Sequence, residues 1–157
     1  MNMKNRIGTF ITTIACIFTA ACDGLFTGEG VTRFPLEAQA GGGYSPLRLS
    51  LGPEMNPMAL NLHASYAASS VEAGKWNDYR ATLRKGETTV ASAVFQVNNT
   101  SNPISPSAQS ISRTMLVIDV AEVGDYELTI QATAPVAVTL ENPQLELRRN
   151  IQRPLPR

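Results

Sequence analysis

Short stretches of the chain alternate between apolar and polar residues, and this alternation is its most regular feature. It runs over 47–51, 58–67 and 126–132. Because successive side chains of a β-strand point to opposite faces, each stretch predicts a strand with one buried face. In the second stretch the predicted inward positions are Leu60, Leu62, Ala64 and Tyr66, and the predicted outward positions are Asn61, His63 and Ser65.

Further strands are predicted where β-prone runs are bounded by turn residues. A turn at Lys85-Gly86 joins 75–84 to 87–97, which predicts a hairpin. Residues 114–120 are mostly apolar on both sides, as in a central strand, and the polar stretch 98–112 predicts a long surface loop. The remaining predicted strands are 33–37, 136–140 and 145–149.

The total is eight or nine short strands, and no helical period longer than two turns follows the N-terminal segment. This pattern predicts an all-β fold, an antiparallel β-sandwich that is either immunoglobulin-like or a jelly roll. The stretch 58–67 is a candidate exposed edge strand that a partner's strand could extend, with Asn61 and His63 on its outward side.

The segment Glu122-Val-Gly-Asp-Tyr126-Glu-Leu128 places a glycine-containing turn before a tyrosine. It resembles the corner before a late strand in immunoglobulin-like and carbohydrate-module sandwiches. The resemblance implies that Tyr126 packs at the corner and opens the strand. Antibody-type domains carry a cysteine two positions after this tyrosine. Here that position is Leu128, which argues against an antibody-type domain and not against the sandwich.

The first 21 residues differ in character from the rest of the chain. Lys4 and Arg6 precede an uncharged run of 15 residues from Ile7 to Ala21. That run is too short for a comfortable span of the ~30 Å hydrocarbon core. A basic start, a short apolar helical segment and small residues at its end are typical of a secretory signal peptide.

The small residues lead directly into a cysteine, in the order Thr19-Ala20-Ala21-Cys22. This sequence resembles the lipobox of bacterial lipoprotein precursors, roughly Leu-Ala-Gly/Ala-Cys, with Thr19 in place of the usual leucine. The resemblance implies diacylglycerol on the Cys22 sulfur, cleavage between Ala21 and Cys22, and acylation of the new amino terminus by a chain such as palmitate. Several acyl chains anchor a protein firmly, since each buried CH₂ contributes ~0.8 kcal/mol.

Asp23 directly follows the predicted lipidation site. In some enteric bacteria, an aspartate at this position retains lipoproteins in the inner membrane, facing the periplasm. We therefore expect a lipid-anchored protein of the bacterial cell envelope, with the inner membrane favoured. The expected organisation is a signal peptide at 1–21, a lipidated flexible tether at 22–32, a β-sandwich domain at 33–150 and a disordered tail at 151–157.

Charge and cysteine content narrow the possible functions. The chain has 13 Lys plus Arg and 13 Asp plus Glu, and loss of Lys4 and Arg6 with the leader leaves 11 against 13, a net charge near −2. The mature chain therefore lacks the basic excess of a nucleic-acid-binding protein. Both cysteines, Cys16 and Cys22, lie in the leader region, so no disulfide and no cysteine-rich zinc site are expected in the domain.

No catalytic set emerges from the sequence. His63 is the only histidine, and the chain contains no Gly-x-Ser-x-Gly elbow to pair with it. Most acids lie in turns or at outward strand positions, where solvated charge is the ordinary explanation rather than paired carboxylates for glycoside hydrolysis. Asp119, Glu122 and Asp125 near one turn form only a weak calcium pattern. We expect no metal, no cofactor and no enzymatic activity.

One stretch combines a flat aromatic ring with polar groups. Trp76, Asn77, Asp78 and Tyr79 lie at the start of a predicted strand, and such a set suits stacking on a sugar ring with hydrogen bonds to its hydroxyls. The alternative is that Trp76 and Tyr79 cap the core. The sequence thus favours a membrane-anchored, non-enzymatic interaction or accessory module with an envelope protein as partner. A tethered glycan-binding module is the second possibility, and a glycan-acting enzyme is the last.

Overall fold

The computed structural model describes residues 29–66, 75–98 and 110–152. In these ranges the regular structure is β-strand except for one 3₁₀ turn at Pro53–Met55. The strands are β1 (Glu29–Pro35), β2 (Tyr44–Leu51), β3 (Met58–Tyr66), β4 (Trp76–Lys85), β5 (Thr88–Asn98), β6 (Ser110–Ile118), β7 (Gly124–Ala132) and β8 (Leu140–Arg149).

These strands form two four-stranded antiparallel sheets that pack face to face. Sheet A has the order β1-β8-β3-β6, and sheet B has the order β2-β7-β4-β5. The predicted all-β antiparallel sandwich is therefore confirmed. Except for the β4–β5 hairpin, each strand lies in the opposite sheet from the one before it. This is the strand order of a jelly roll, which decides between the two topologies that the sequence left open.

The core lies between the sheets and is built from the inward positions of the alternating strands. Leu60 and Leu62 of sheet A are fully buried, and Leu128 and Ile130 of sheet B are nearly so. Burial of each such side chain stabilises the fold by about 1.5–3 kcal/mol. The apolar alternation therefore explains both which residues form strands and which face of each strand is inward.

The β4–β5 hairpin matches its prediction. The strands pair in register from Trp76 opposite Asn98 to Lys85 opposite Thr88, with an irregularity between Leu83 and Arg84. Gly86 in the connecting turn has φ of 56°, a left-handed conformation that glycine adopts without steric cost. Local turn chemistry and alternation were sufficient to predict this element.

The predicted tyrosine corner is also present. Tyr126 is 3% exposed, and its hydroxyl donates a hydrogen bond of 2.8 Å to the Glu122 carbonyl oxygen. This bond closes the turn between β6 and β7 and fixes the entry of β7 into sheet B.

Two predictions about sheet position are wrong. The stretch 58–67 is not an exposed edge, because β3 lies inside sheet A between β8 and β6. Conversely, 114–120 was expected to be central, and β6 is an edge strand. Its apolar character on both sides arises from a bulge opposite Leu60 and Asn61, where Met115 is the extra residue and is buried.

The ends of the domain also differ from expectation. β1 begins at Glu29 and pairs with β8, so residues 29–32 of the expected tether are part of sheet A. At the other terminus, Ile151 is buried and its N–H donates to the Pro57 carbonyl oxygen. The predicted strand at 136–140 is absent apart from Leu140, which begins β8. Hydrogen bonds to the Asn77 side chain hold this segment instead.

The two ends of the sandwich differ in the length of their connections. Short connections at 52–57, 86–87 and 119–123 lie at the end where β1 begins, which we call the tether end. Among the described connections, the longer ones at 36–43 and 133–139 lie at the opposite end, which we call the loop end. Trp76, the first residue of β4, lies at the loop end.

Candidate functional site

The predicted anchor lies outside the described residues. Cys22, Ala21 and Asp23 precede Glu29, the first residue that the structure describes. Lipidation and cleavage at this motif therefore remain predictions. Among the described residues, no helix has the length and apolar character needed to cross a membrane.

The predicted ligand-binding residues are divided by the alternation of β4. Trp76 is 50% exposed and Asp78 is partly exposed, and both lie on the outer face of sheet B. Asn77 and Tyr79 are 1% and 2% exposed and point into the sandwich. A ligand on the outer face can contact Trp76 and Asp78, whereas Asn77 and Tyr79 support the site from below.

Hydrogen bonds hold the exposed tryptophan in place. The Trp76 Nε1–H donates to Asp78 Oδ2 at 3.1 Å. The other carboxylate oxygen, Oδ1, accepts a hydrogen bond of 2.7 Å from Gln96 Nε2 on the neighbouring strand β5. The indole is thus fixed through its edge while half of the residue stays open to solvent. A preorganised aromatic surface of this kind loses little conformational entropy on binding.

The same outer face continues along β4 from Trp76 and Asp78 to Arg80, three residues that we call the Trp76 row. Arg80 lies between Val94 of β5 and Gln131 of β7 in the sheet register. Val94 is 57% exposed, and Arg80 and Gln131 are exposed as well. The Trp76 row therefore offers an aromatic ring, a carboxylate and a guanidinium. The neighbouring strands add an apolar side chain and amides to the same open surface.

Asn77 secures the connection between β7 and β8 from inside the sandwich. Its Oδ1 accepts hydrogen bonds of 2.8 Å from the backbone N–H groups of Ala137 and Val138. Its Nδ2 donates to the Val138 carbonyl oxygen at 2.8 Å and to the Tyr79 hydroxyl at 3.0 Å. This network replaces the strand predicted at 136–140. It also places a loop-end segment beneath the Trp76 row.

Tyr79 belongs to an aromatic cluster in the core. Its ring stacks on Phe95 with a centroid distance of 5.5 Å and lies 6.0 Å from the ring of Tyr44. Burial raises the pKa of Tyr79, although hydrogen bonds from Tyr44 and Asn77 partly offset that effect. Burial and the neighbouring Tyr79 also raise the pKa of Tyr44. Both hydroxyls therefore stay protonated, and their role is structural.

The outer face of sheet A carries a charged cluster that the sequence did not predict. Glu146 is 1% exposed although it alternates outward between Leu145 and Leu147. Its Oε2 accepts two hydrogen bonds from Arg33, of 2.8 and 3.1 Å, and its Oε1 accepts one from Arg148 at 2.6 Å. Asn61 Nδ2 adds a weaker bond of 3.3 Å to Oε1.

In the Glu146 cluster the carboxylate is buried, whereas the Arg33 side chain that binds it is partly exposed. Burial would raise the pKa of Glu146, but hydrogen bonds from Arg148 and Arg33 outweigh that effect and the pKa is lowered. Asn61 was predicted to face solvent and is 2% exposed. Its Oδ1 has no hydrogen-bond partner in the described part of the chain. This cluster therefore bears on stability rather than on an open binding surface.

The structure separates His63, which lies within β3, from the acids near residue 120, which lie around the connection between β6 and β7. His63 is half-buried in the middle of β3, opposite Ser112 and Gln144 in the sheet register. Glu122 forms an ion pair with Lys85, and Asp125 accepts a hydrogen bond from Ser50. Across residues 29–66, 75–98 and 110–152, no three His, Cys, Asp or Glu side chains group as a metal site.

Comparisons with protein-family models, curated proteins and solved structures find no match for this chain. What the site does is therefore inferred from its own geometry and chemistry.

Proposed function

We propose that this protein is a lipid-anchored, non-enzymatic binding module of the bacterial cell envelope. Cys22 carries the anchor in this proposal, and Asp23 favours the inner membrane with the domain facing the periplasm. The Trp76 row is the binding surface. No catalytic step is part of the proposal.

The observation that carries the proposal is the position of Trp76 relative to the start of β1. Only six residues, 23–28, separate Cys22 from Glu29, so the tether end lies within about 24 Å of the anchor. Trp76 begins β4 at the loop end, and ten strand residues span about 33 Å. The exposed ring is therefore held away from the membrane, where a ligand of the envelope can reach it.

The chemistry of the row favours a glycan as ligand. An exposed indole face stacks on the apolar face of a sugar ring, and the Asp78 carboxylate and Gln96 amide bond to hydroxyl groups. The partner first expected from the sequence, an envelope protein, remains the second candidate. It is favoured by the described connections 36–43 and 133–139 at the loop end, because binding residues are often carried on loops.

The test is a pull-down of the lipidated, full-length protein from detergent-solubilised native membranes, read by mass spectrometry for both protein and glycan. We expect material that the Trp76→Ala variant fails to recover. Val117→Ala is the control, since it shortens an exposed side chain on the other sheet. Equal recovery by Trp76→Ala would contradict the assignment of the surface. An amino terminus other than acylated Cys22 would contradict the anchor.

A further inference from the structure

We infer that the Trp76 row binds an acidic oligosaccharide, with a sugar ring on Trp76 and a negative group of a neighbouring sugar on Arg80. This inference rests on the proposed function and adds the charge and minimum length of the ligand. It follows from the environment of Arg80, from the spacing along β4 and from the exposed apolar side chain of Val94 opposite Arg80.

Four arginines of the described strands, unlike Arg80, have an acid as an ion-pair partner or as a cross-strand neighbour. Arg33 and Arg148 are bound to Glu146. Arg48 and Arg84 both lie opposite Glu127 in the register of sheet B. Arg80 instead lies between the uncharged Val94 and Gln131. The acid on its own strand, Asp78, is bound to Trp76 and Gln96 and forms no ion pair with Arg80. Its guanidinium is therefore available to a ligand anion.

The chemistry of this position suits a carboxylate or phosphate group on a sugar. A guanidinium presents several N–H donors in a planar fork, which matches such groups with two parallel hydrogen bonds. The Gln131 amide beside it can donate a further bond. Val94, opposite Arg80 on β5, is exposed and provides an apolar surface for the sugar ring that carries the anion.

The spacing sets the length of the ligand. Trp76 and Arg80 are four residues apart on one strand, which corresponds to about 13 Å between their Cα atoms. A single sugar is too short to occupy both positions, whereas a short oligosaccharide spans them. Asp78 and Gln96 lie between them and are positioned for the hydroxyl groups of the linking part.

The experiment compares matched acidic and neutral ligands. Trp76 is the only tryptophan of the chain, so tryptophan fluorescence reports on the row directly. The full-length protein in detergent is titrated with oligogalacturonate and with a peptidoglycan-derived tetrasaccharide that carries lactyl carboxylates. Each is paired with its own methyl ester, which keeps the sugar rings and removes the charge. The variants are Arg80→Gln and, as a matched control, Arg113→Gln on an exposed position of β6.

We expect at least one acid to bind about tenfold more tightly than its ester, as for one charge-assisted contact. Arg80→Gln should remove this difference between acid and ester, and Arg113→Gln should keep it. Added salt should weaken the acid selectively. Equal binding of acid and ester, or a preference that survives in Arg80→Gln, would overturn the inference while glycan binding stands. If no ligand shifts the fluorescence, the inference and the glycan assignment both fail, and the pull-down still tests for a protein partner.

Discussion

The outer faces of the two sheets have the same alternating pattern, but the polar residues around Glu146 and around Trp76 differ in exposure. On sheet A, the outward Glu146 and Asn61 are 1% and 2% exposed. On sheet B, the outward Trp76 and Val94 are 50% and 57% exposed. The difference arises from their neighbours, because Arg33 and Arg148 bind Glu146 on the first face. On the second face, the Asp78 carboxylate is bound to Trp76 and Gln96 and forms no ion pair with Arg80.

The comparison shows that the direction of a side chain does not determine whether it contacts water. Long arginine side chains can cover a neighbouring carboxylate, and the resulting ion pairs then stabilise the sheet only if every charge is matched. A surface without this matching keeps its polar groups available to a ligand. We therefore assign stability to the outer face of sheet A and binding to that of sheet B.

The largest effect is expected when the closed face loses one of its cations. Arg148→Met leaves the Glu146 carboxylate buried with fewer donors, and breaking such a pair costs about 3 kcal/mol of unfolding free energy. The matched change on the open face is Arg84→Met, for which we expect a loss of about 0.5 kcal/mol or less. Urea unfolding of both variants measures this difference. Equal losses would mean that the two faces do not differ in the way proposed.

A smaller loss is expected from the inner side of β4. Asn77→Ala leaves the N–H and C=O groups of buried Val138 without partners, which should cost about 2 kcal/mol. Asp78→Ala, the next residue on the open side, removes only exposed hydrogen bonds and should cost less than about 1 kcal/mol. Thermal unfolding monitored by circular dichroism would compare them. A reversed order would show that the outer row, and not Asn77, supports this part of the fold.

Acidification tests the closed face in a different way. The pKa of Glu146 is lower in the folded protein than in the unfolded chain, where it is about 4.3. Its contribution to stability is therefore complete above the unfolded pKa and is lost as the pH falls through the folded pKa. Glu146→Gln should flatten the decline in the unfolding midpoint over this acidic range.

Glu122 provides the control in the same experiment. It is exposed, and Lys85 lowers its pKa as well. Glu122→Gln should change the acid dependence less than Glu146→Gln does, since solvent screens an exposed pair. An unchanged pH profile in Glu146→Gln would show that the network does not stabilise the fold through its charge.

The smallest effect on stability is expected at the loop end of the open face. Trp76→Ala removes a half-exposed side chain and should lower the unfolding free energy by less than about 1 kcal/mol, with ligand binding lost. Calorimetric unfolding and binding measurements on one preparation would separate the two effects. A stability loss as large as that of Arg148→Met would identify Trp76 as part of the core and remove the basis for a binding surface.

The sequence alone determined the features that depend on near neighbours in the chain. Alternation predicted the inward face of β3 and β7, turn residues predicted the β4–β5 hairpin, and the segment before Tyr126 predicted the corner. The sequence also identified Trp76 as a candidate binding residue, since the only tryptophan lies beside polar residues at the start of a predicted strand. Each of these features follows from local geometry and side-chain chemistry.

Only the tertiary structure decided the features that depend on which strands become neighbours. Strand order made β3 central and β6 an edge, against expectation, and it selected the jelly roll. It also brought Arg33, Asn61 and Arg148 around Glu146, over sequence separations of up to 113 residues. No period along the chain encodes such pairings, because an outward position is the same in sequence whether its cross-strand neighbour is an arginine or a valine. That difference made one face a closed ion network and left the other open as a candidate binding site.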